Sequence, residues 1–262
     1  MDDNRVDAYL DRIGATRPAL PDLDGLRALQ RAHLGTVPFE NLSIHLGEPV
    51  RLDEGSVLSK LIDRRRGGFC YELNGAFAML LSALGYRVTL HSARVWGGGR
   101  FGAPFDHLAL RVELDVPWLV DVGFGRFSHH PVRLDVRGPQ ADPGGVFEVT
   151  GHANPVGPSD LDVSRNGGCE YRLDQRPYAL DDFVPTCWWH QTSPESHFTR
   201  SLTCSRLTDG GRITLSGNTL IATAGDVRTE RRLTDAEVLA LYHQEFDIAL
   251  DHLPVVKMDR SA

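Results

Sequence analysis

At Gly85 the repeat of apolar residues changes, and this limits what the chain can fold into more than any other feature. Before Gly85 the large apolar side chains recur at helical spacing; from Tyr86 they alternate at every second residue. A period near 3.6 marks one face of an α-helix, and a period of two marks one face of a strand. A 262-residue chain that is helical first and stranded next has to pack a helical layer against a sheet, which is an α+β fold.

The helical part reads as several stripes. Val6, Tyr9, Leu10 and Ile13 end at Gly14, and Leu23, Leu26, Leu29 and His33 follow Asp22, a good N-cap. Val57, Leu58, Leu61 and Ile62 form a short third stripe before Arg64-Arg65-Arg66, while Val37 to Leu42 break the pattern and predict an ordered turn. The last stripe, Leu73, Phe77, Leu80, Leu81 and Leu84, is entered through Gly67-Gly68 and places Cys70 in the first turn of a buried helix. A thiol there feels the positive end of the helix and unpaired N–H groups, both of which favour thiolate. Buried cysteines are more often small hydrophobes, so Cys70 points to chemistry only if a base and an orienting acid lie nearby.

The stranded part supplies both. His107, Ala109, Arg111 and Glu113 share one strand face, and Leu119 shares a face with Asp121. A hairpin through Asp115-Val116-Pro117 would bring His107 and Asp121 close together on that face. Cys70, His107 and Asp121 are thus the expected nucleophile, base and orienting acid. No metal is expected: His129 and His130 are adjacent and would point to opposite strand faces, with no acid pattern to complete a site. Cys70, Cys169, Cys187 and Cys204 show no paired spacing for a disulfide or zinc. Cys187 and His190 read as packing residues.

Turns such as Asp142-Pro143-Gly144-Gly145 and Asn166-Gly167-Gly168 divide residues 126–190 into short strands, as in a barrel or sandwich. Further strands at 201–207 and 212–215 precede a helix opened by the Thr234/Glu237 capping box. Three zones are predicted: 1–85 helical with the nucleophile, 86–190 a β-unit with the His and Asp, and 191–262 mixed. With 24% charged residues and a net charge of −7, a nucleic-acid partner is not expected. No apolar run reaches the roughly 18 residues of a membrane span, and a reactive thiol suits a reducing, cytoplasmic setting. All but Lys60 and Lys257 of the 28 basic side chains are arginines, which makes Arg and backbone N–H the default partners for phosphate.

Five segments together resemble the arylamine N-acetyltransferase family, in order and over essentially the whole chain. They are Arg66-Gly67-Gly68-Phe69-Cys70-Tyr71-Glu72-Leu73-Asn74, Asp106-His107-Leu108, Leu119-Val120-Asp121-Val122-Gly123-Phe124-Gly125, Val37-Pro38-Phe39-Glu40-Asn41-Leu42 and, more loosely, Thr192 to Phe198. The resemblance implies a helical bundle, a β-barrel and an α/β lid around a cysteine-protease-like Cys-His-Asp core. It also implies acetyl transfer from acetyl-CoA to an arylamine or hydrazine through an acyl-cysteine, by a ping-pong mechanism. Phe39, Tyr71 and Phe124 would line the amine pocket, and Gly123, Gly125, Arg126 and Phe127 would approach the pyrophosphate of the cofactor. Glu40 would pair with Arg66 as structural support. Asp106, at a variable position, would either repel the cofactor phosphates or hold an arginine. Two other uses of the same residues are an amide synthase taking its acyl chain from an acyl carrier protein, and a cysteine hydrolase.

Overall fold

Helix α1 (Asp3–Ile13) is opened by the Asp2 carboxylate, which accepts the Arg5 N–H, and is stopped by Gly14 at a positive φ. Helix α2 (Leu23–Thr36) starts in the same way, with Asp22 accepting the Gly25 N–H. The computed structural model describes residues 1–154, 157–225 and 227–256. Where a plain turn was predicted, Phe39–Glu40 forms a strand, β1, followed by a short helix, α3 (Leu42–Leu46). Two residues are too few to show a period, and the partner of β1, near Ser205, is remote in sequence. Helix α4 (Glu54–Leu58) runs into a π-turn at Ser59–Asp63. Helix α5 (Cys70–Ala83) is the predicted buried one, almost every residue of it shielded from solvent.

From Arg87 the alternating pattern makes strands: β2 (Arg87–Gly97), β3 (Arg100–Phe101), β4 (His107–Glu113), β5 (Pro117–Val120), β6 (Val132–Arg133), β7 (Gln140–Asp142), β8 (Gly145–His152), β9 (Asp160–Arg165) and β10 (Gly168–Tyr178). Their order is β6-β5-β4-β2-β10-β9-β8-β7, with β3 attached to β2. The Gln140 carboxamide links the first and last strands, accepting the Arg133 N–H at 2.9 Å and donating to the Arg133 carbonyl at 2.9 Å, so the sheet nearly closes into a barrel. After Tyr178 the chain is helical: a 3₁₀ turn (Leu180–Phe183), α6 (Val184–Thr192) and α7 (His197–Arg200). The expected strand character up to residue 190 is therefore corrected. Pro185, in the first turn of α6, is a helix-start signal that the neighbouring tryptophans masked. A second sheet then orders β1, β11 (Thr203–Leu207), β12 (Gly211–Ser216), β13 (Thr219–Ala224) and β14 (Val227–Arg232), and α8 (Asp235–Phe246) closes the chain behind its Thr234/Glu237 capping box.

Three cores result, and the alternation of β4 and β5 divides the first two. Leu108, Leu110, Val112, Val120 and Val122 face α5 in one core; Ala109 and Leu119 face the barrel interior in another. The third joins β11, β12 and α8. Because β1 pairs with β11, and Phe183 and Cys187 pack in the first core, the zones interlock rather than sit side by side.

Behind α5 lies a buried ionic network. Lys60 Nζ is 2.6 Å from Glu72 Oε1, and Glu72 Oε2 accepts the Phe69 N–H at 3.2 Å, which caps the helix start. Arg66 Nη2 is 3.0 Å from Glu40 Oε1, whose other oxygen accepts the Leu42 N–H at 2.6 Å. Burial pushes Glu40 up, but the charges of Arg66 and Lys60 outweigh it and hold the carboxyl below its ordinary value. At Glu72 burial wins over Lys60 and the value rises. A buried charge that loses its partner costs about 3–5 kcal/mol. Lys60→Met should therefore lower the urea unfolding midpoint sharply, and Lys60→Met combined with Glu72→Leu should recover much of the loss. An unchanged midpoint in the single variant would show that the network contributes little.

Candidate active site

Cys70 is the first residue of α5 and 3% exposed, His107 opens β4 at 2%, and Asp121 follows β5 at 1%. The β4–β5 register pairs Leu110 with Val120 and Glu113 with Pro117. Continued outward, it sets Asp121 opposite Ala109, two residues from His107 and on the same face, so the contact is diagonal. His107 Nε2 lies 2.7 Å from Asp121 Oδ2. Asp121 Oδ1 accepts the Gly123 N–H at 3.0 Å and an Asn74 amide hydrogen at 2.9 Å, and Tyr171 donates to Oδ2 at 3.3 Å. With Nε2 committed to the carboxylate, Nδ1 is the ring nitrogen free to exchange a proton.

Asn74 ties the helix to both strands. Its amide also donates to the Leu108 carbonyl at 2.7 Å, and its oxygen accepts the Val122 N–H at 2.9 Å. The loop after β5 lies against the backbone of Cys70: a Cβ on Gly123 would stand 2.7 Å from Cys70 Cα. Glycine is required there by close packing on Cys70, a more immediate reason than the cofactor approach expected of it.

Burial pushes the Cys70 thiol well above its ordinary value; the Leu108 N–H lowers it, while Cys187, Asp121 and Asp106 add to the rise. Burial thus opposes the helix end and the N–H groups expected to favour thiolate, because desolvation disfavours the charged form. A positive charge is needed to offset it, and of the expected nucleophile, base and acid only His107 can carry one.

Phe124 is half-buried and stands edge-on to His107 at 5.0 Å and Tyr171 at 5.3 Å. Gly125, at φ +92°, turns the chain beneath the Phe39 ring, which packs on Phe198 at 6.2 Å. Tyr71 was expected at the amine pocket. It is fully buried, and its hydroxyl donates to the carbonyls of Phe105 (2.7 Å) and Asp106 (3.2 Å), fixing the segment that leads into His107. The Phe127 side chain is buried as well, stacked on Tyr171 at 5.3 Å inside the barrel. Arg126 is exposed and, with Arg31, Arg212, His129 and His130, lines a cleft of about 430 Å³. Burial together with the charges of Arg126 and Arg165 lowers Arg212 to about 10. Its Nη1 donates to Ser205 Oγ at 3.1 Å, and among the described residues no carboxylate pairs with it. Asp106 does not take the arginine-holding role expected of it: its Oδ1 is 3.2 Å from His190 Nε2, and among the described residues no arginine pairs with it.

His129 and His130 donate their backbone N–H groups to Asp142. Among the described residues there is no group of 3 or more His, Cys, Asp and Glu placed to hold a metal, and no helix is long and apolar enough to cross a membrane. Sequence reading assigned no role to Asn74 or Tyr171. Asn74 was recoverable, since a residue four beyond Cys70 shares its helix face; Tyr171, on a distant strand, gave no local signal.

A family model described as N-acetyltransferase matches residues 22–255. An arylamine N-acetyltransferase of Mycolicibacterium smegmatis is 35% identical over 256 residues, covering 94% of this chain and 92% of that protein. One from Escherichia coli K12 is 32% identical, covering 93% and 88%. The crystal structure of Nocardia farcinica arylamine N-acetyltransferase superposes with a TM-score of 0.83 at 36% identity, covering 94% of this chain and 89% of that one.

Removing the Asn74 amide frees Asp121 and loosens both strands from α5. Asn74→Ala should slow alkylation of Cys70 by iodoacetamide at neutral pH about tenfold, the order expected for losing a hydrogen bond to a charged group. Unchanged alkylation kinetics would mean that Asn74 only fills space.

Proposed function

This chain belongs to the arylamine N-acetyltransferase family, and on that premise we propose that it moves an acetyl group from acetyl-CoA to the nitrogen of an arylamine or hydrazine through Cys70. The observation that carries this reading is a buried thiol on the helix whose Asn74 donates to the Asp121 carboxylate, the same carboxylate that stands 2.7 Å from His107 Nε2. In the first step the Cys70 sulfur attacks the thioester carbonyl of acetyl-CoA while His107 holds the thiol proton. That proton then passes to the departing coenzyme A sulfur as the C–S bond breaks, leaving acetyl-Cys70. In the second step the amine nitrogen attacks the new thioester, His107 Nδ1 takes the proton it sheds, and Cys70 leaves as the product amide forms. Asp121 orients the ring and stabilises its protonated form. The Cys70 N–H, in the first turn of α5, has no acceptor within its own helix. It suits the carbonyl oxygen as charge builds there, an interaction typically worth about 3 kcal/mol.

Two further features favour this substrate pair. Phe124 and Phe39 give an aromatic wall beside His107 on which a planar amine can stack. Arg126, Arg31 and Arg212 line a cleft that continues from the Phe124–Phe127 turn, with Arg212 lacking a carboxylate among the described residues. Such a cleft fits the phosphates of coenzyme A, which a net charge of −7 would otherwise repel.

Cys70→Ala should leave no acetyl adduct in the intact mass after mixing with acetyl-CoA and should abolish transfer; a variant that still acetylates an aniline would refute the mechanism. Arg212→Ala should raise the KM for acetyl-CoA about tenfold, as for one lost charge-assisted hydrogen bond. The same variant should handle a short acetyl thioester without phosphates as the wild type does. Equal losses on both donors would show that the arginine supports the fold rather than the donor.

A further inference from the structure

A second carboxylate–imidazole contact lies beside the first, one residue away in sequence. Asp106 immediately precedes His107, and its Oδ1 stands 3.2 Å from Nε2 of His190 on α6. His190 is buried, its ring set against Tyr71 (6.1 Å), Trp189 (5.1 Å) and Phe198 (5.1 Å). Its Nδ1 is 3.2 Å from the hydroxyl of Ser196, a fully buried residue whose oxygen also accepts the Phe198 N–H at 3.2 Å. With that oxygen accepting from the backbone, the hydroxyl hydrogen is free to go to Nδ1, which puts the ring hydrogen on Nε2, a buried atom 3.2 Å from Asp106 Oδ1 that makes no hydrogen bond of its own among the described residues. The other Asp106 oxygen accepts the Val95 N–H at 3.3 Å, and Tyr71 donates to the Asp106 carbonyl. A polar string thus runs from the start of α7 through His190 to the residue before the catalytic histidine. It passes along Tyr71, the neighbour of Cys70.

We propose that Asp106 and His190 are positioning residues for acyl transfer, the imidazole masking a carboxylate that would otherwise oppose ionisation of Cys70 and holding α6 down over the nucleophile. The inference rests on Cys70 being the nucleophile. Asp106 is one of the acidic groups whose charge reaches the thiol; the others are Asp121 after β5 and Cys187 on α6, and the same Asp106 charge reaches the Tyr71 hydroxyl. Tyr71, next in sequence, is a further titratable group that interacts with the thiol, and in the proposed mechanism His107 on β4 supplies the opposite charge. In so buried a setting an unmasked anion acts strongly, since little water screens it. Asp121 is neutralised in effect by His107 and three other donors. Among the described residues Asp106 has His190 and one backbone N–H.

The test follows iodoacetamide alkylation of Cys70 against pH in the full chain, which reads the thiol without turnover. His190→Leu keeps bulk and removes the imidazole. It should move the profile to higher pH and slow neutral alkylation about tenfold, the equivalent of one unit of pKa. Asp106→Asn should move the profile to lower pH and speed neutral alkylation about threefold, half a unit. The double variant should return to within about twofold of wild type, whereas a purely structural contact would leave it at least as slow as His190→Leu. A His190→Leu profile that superposes on wild type, or a double variant as slow as the single one, would overturn the proposal. If His190→Leu does not fold, Asp106→Asn decides alone, a profile unmoved or moved upward counting against the pair. Acetyl transfer surviving in Cys70→Ala would fail the functional reading instead and leave the alkylation result standing.

Discussion

Desolvation of one sulfur atom is the constraint on which the rest of this structure depends. Cys70 is almost fully shielded, and a thiol in that position holds its proton far more tightly than one in water. The positive end of α5 and the Leu108 N–H work against this but do not overcome it. In the proposed mechanism His107 is the counterweight, and its ring is of use only if the proton is on the correct nitrogen and the plane is fixed. The four groups around the Asp121 carboxylate, His107, Asn74, Gly123 and Tyr171, provide that fixing from one helix, two strands and one loop.

The same requirement explains why the fold interlocks as it does. Cys70 sits at the seam between the helical core and the barrel core, where β4 sends even-numbered side chains to one and odd-numbered ones to the other. Asn74 crosses that seam with three hydrogen bonds, and Gly123 allows the loop to press directly on the Cys70 backbone. Behind the helix start, Lys60, Glu72, Glu40 and Arg66 pin α5, α3 and the Gly67-Gly68 corner from the other side. Buried ion pairs of this kind add little net stability over apolar packing, so their value here lies in fixing where the first turn of α5 begins.

Much of this was legible before any coordinates. The stripes at Val6–Ile13 and Leu73–Leu84 and the alternation of His107–Glu113 follow from local periodicity, and local periodicity is what burial on one face produces. The placement of His107 and Asp121 on one face followed from strand parity, although the register sets them diagonally rather than directly opposite. What was not legible is long-range. Strand β1 exists because a segment far along the chain pairs with it, and Tyr171 reaches Asp121 from a strand that carries no motif. By resemblance Tyr71 was expected at the amine pocket and Phe127 at the cofactor pyrophosphate, and each turns its side chain into a core. The pairing of Asp106 with His190 joins two residues whose surroundings in sequence say nothing of each other.

The ionisation of Cys70 itself is the quantity that decides whether this physical picture holds. Its thiolate can be titrated by ultraviolet absorbance, difference spectra being referred to Cys70→Ala, in wild type and in His107→Gln. In wild type the sulfur is expected to be ionised through neutral pH, because the imidazolium offsets burial. In His107→Gln the thiol should stay protonated through neutrality and ionise only in alkaline solution, above the ordinary thiol value near 8.5. Superposable curves for the two proteins would contradict it, for the charge on the sulfur would then owe nothing to His107.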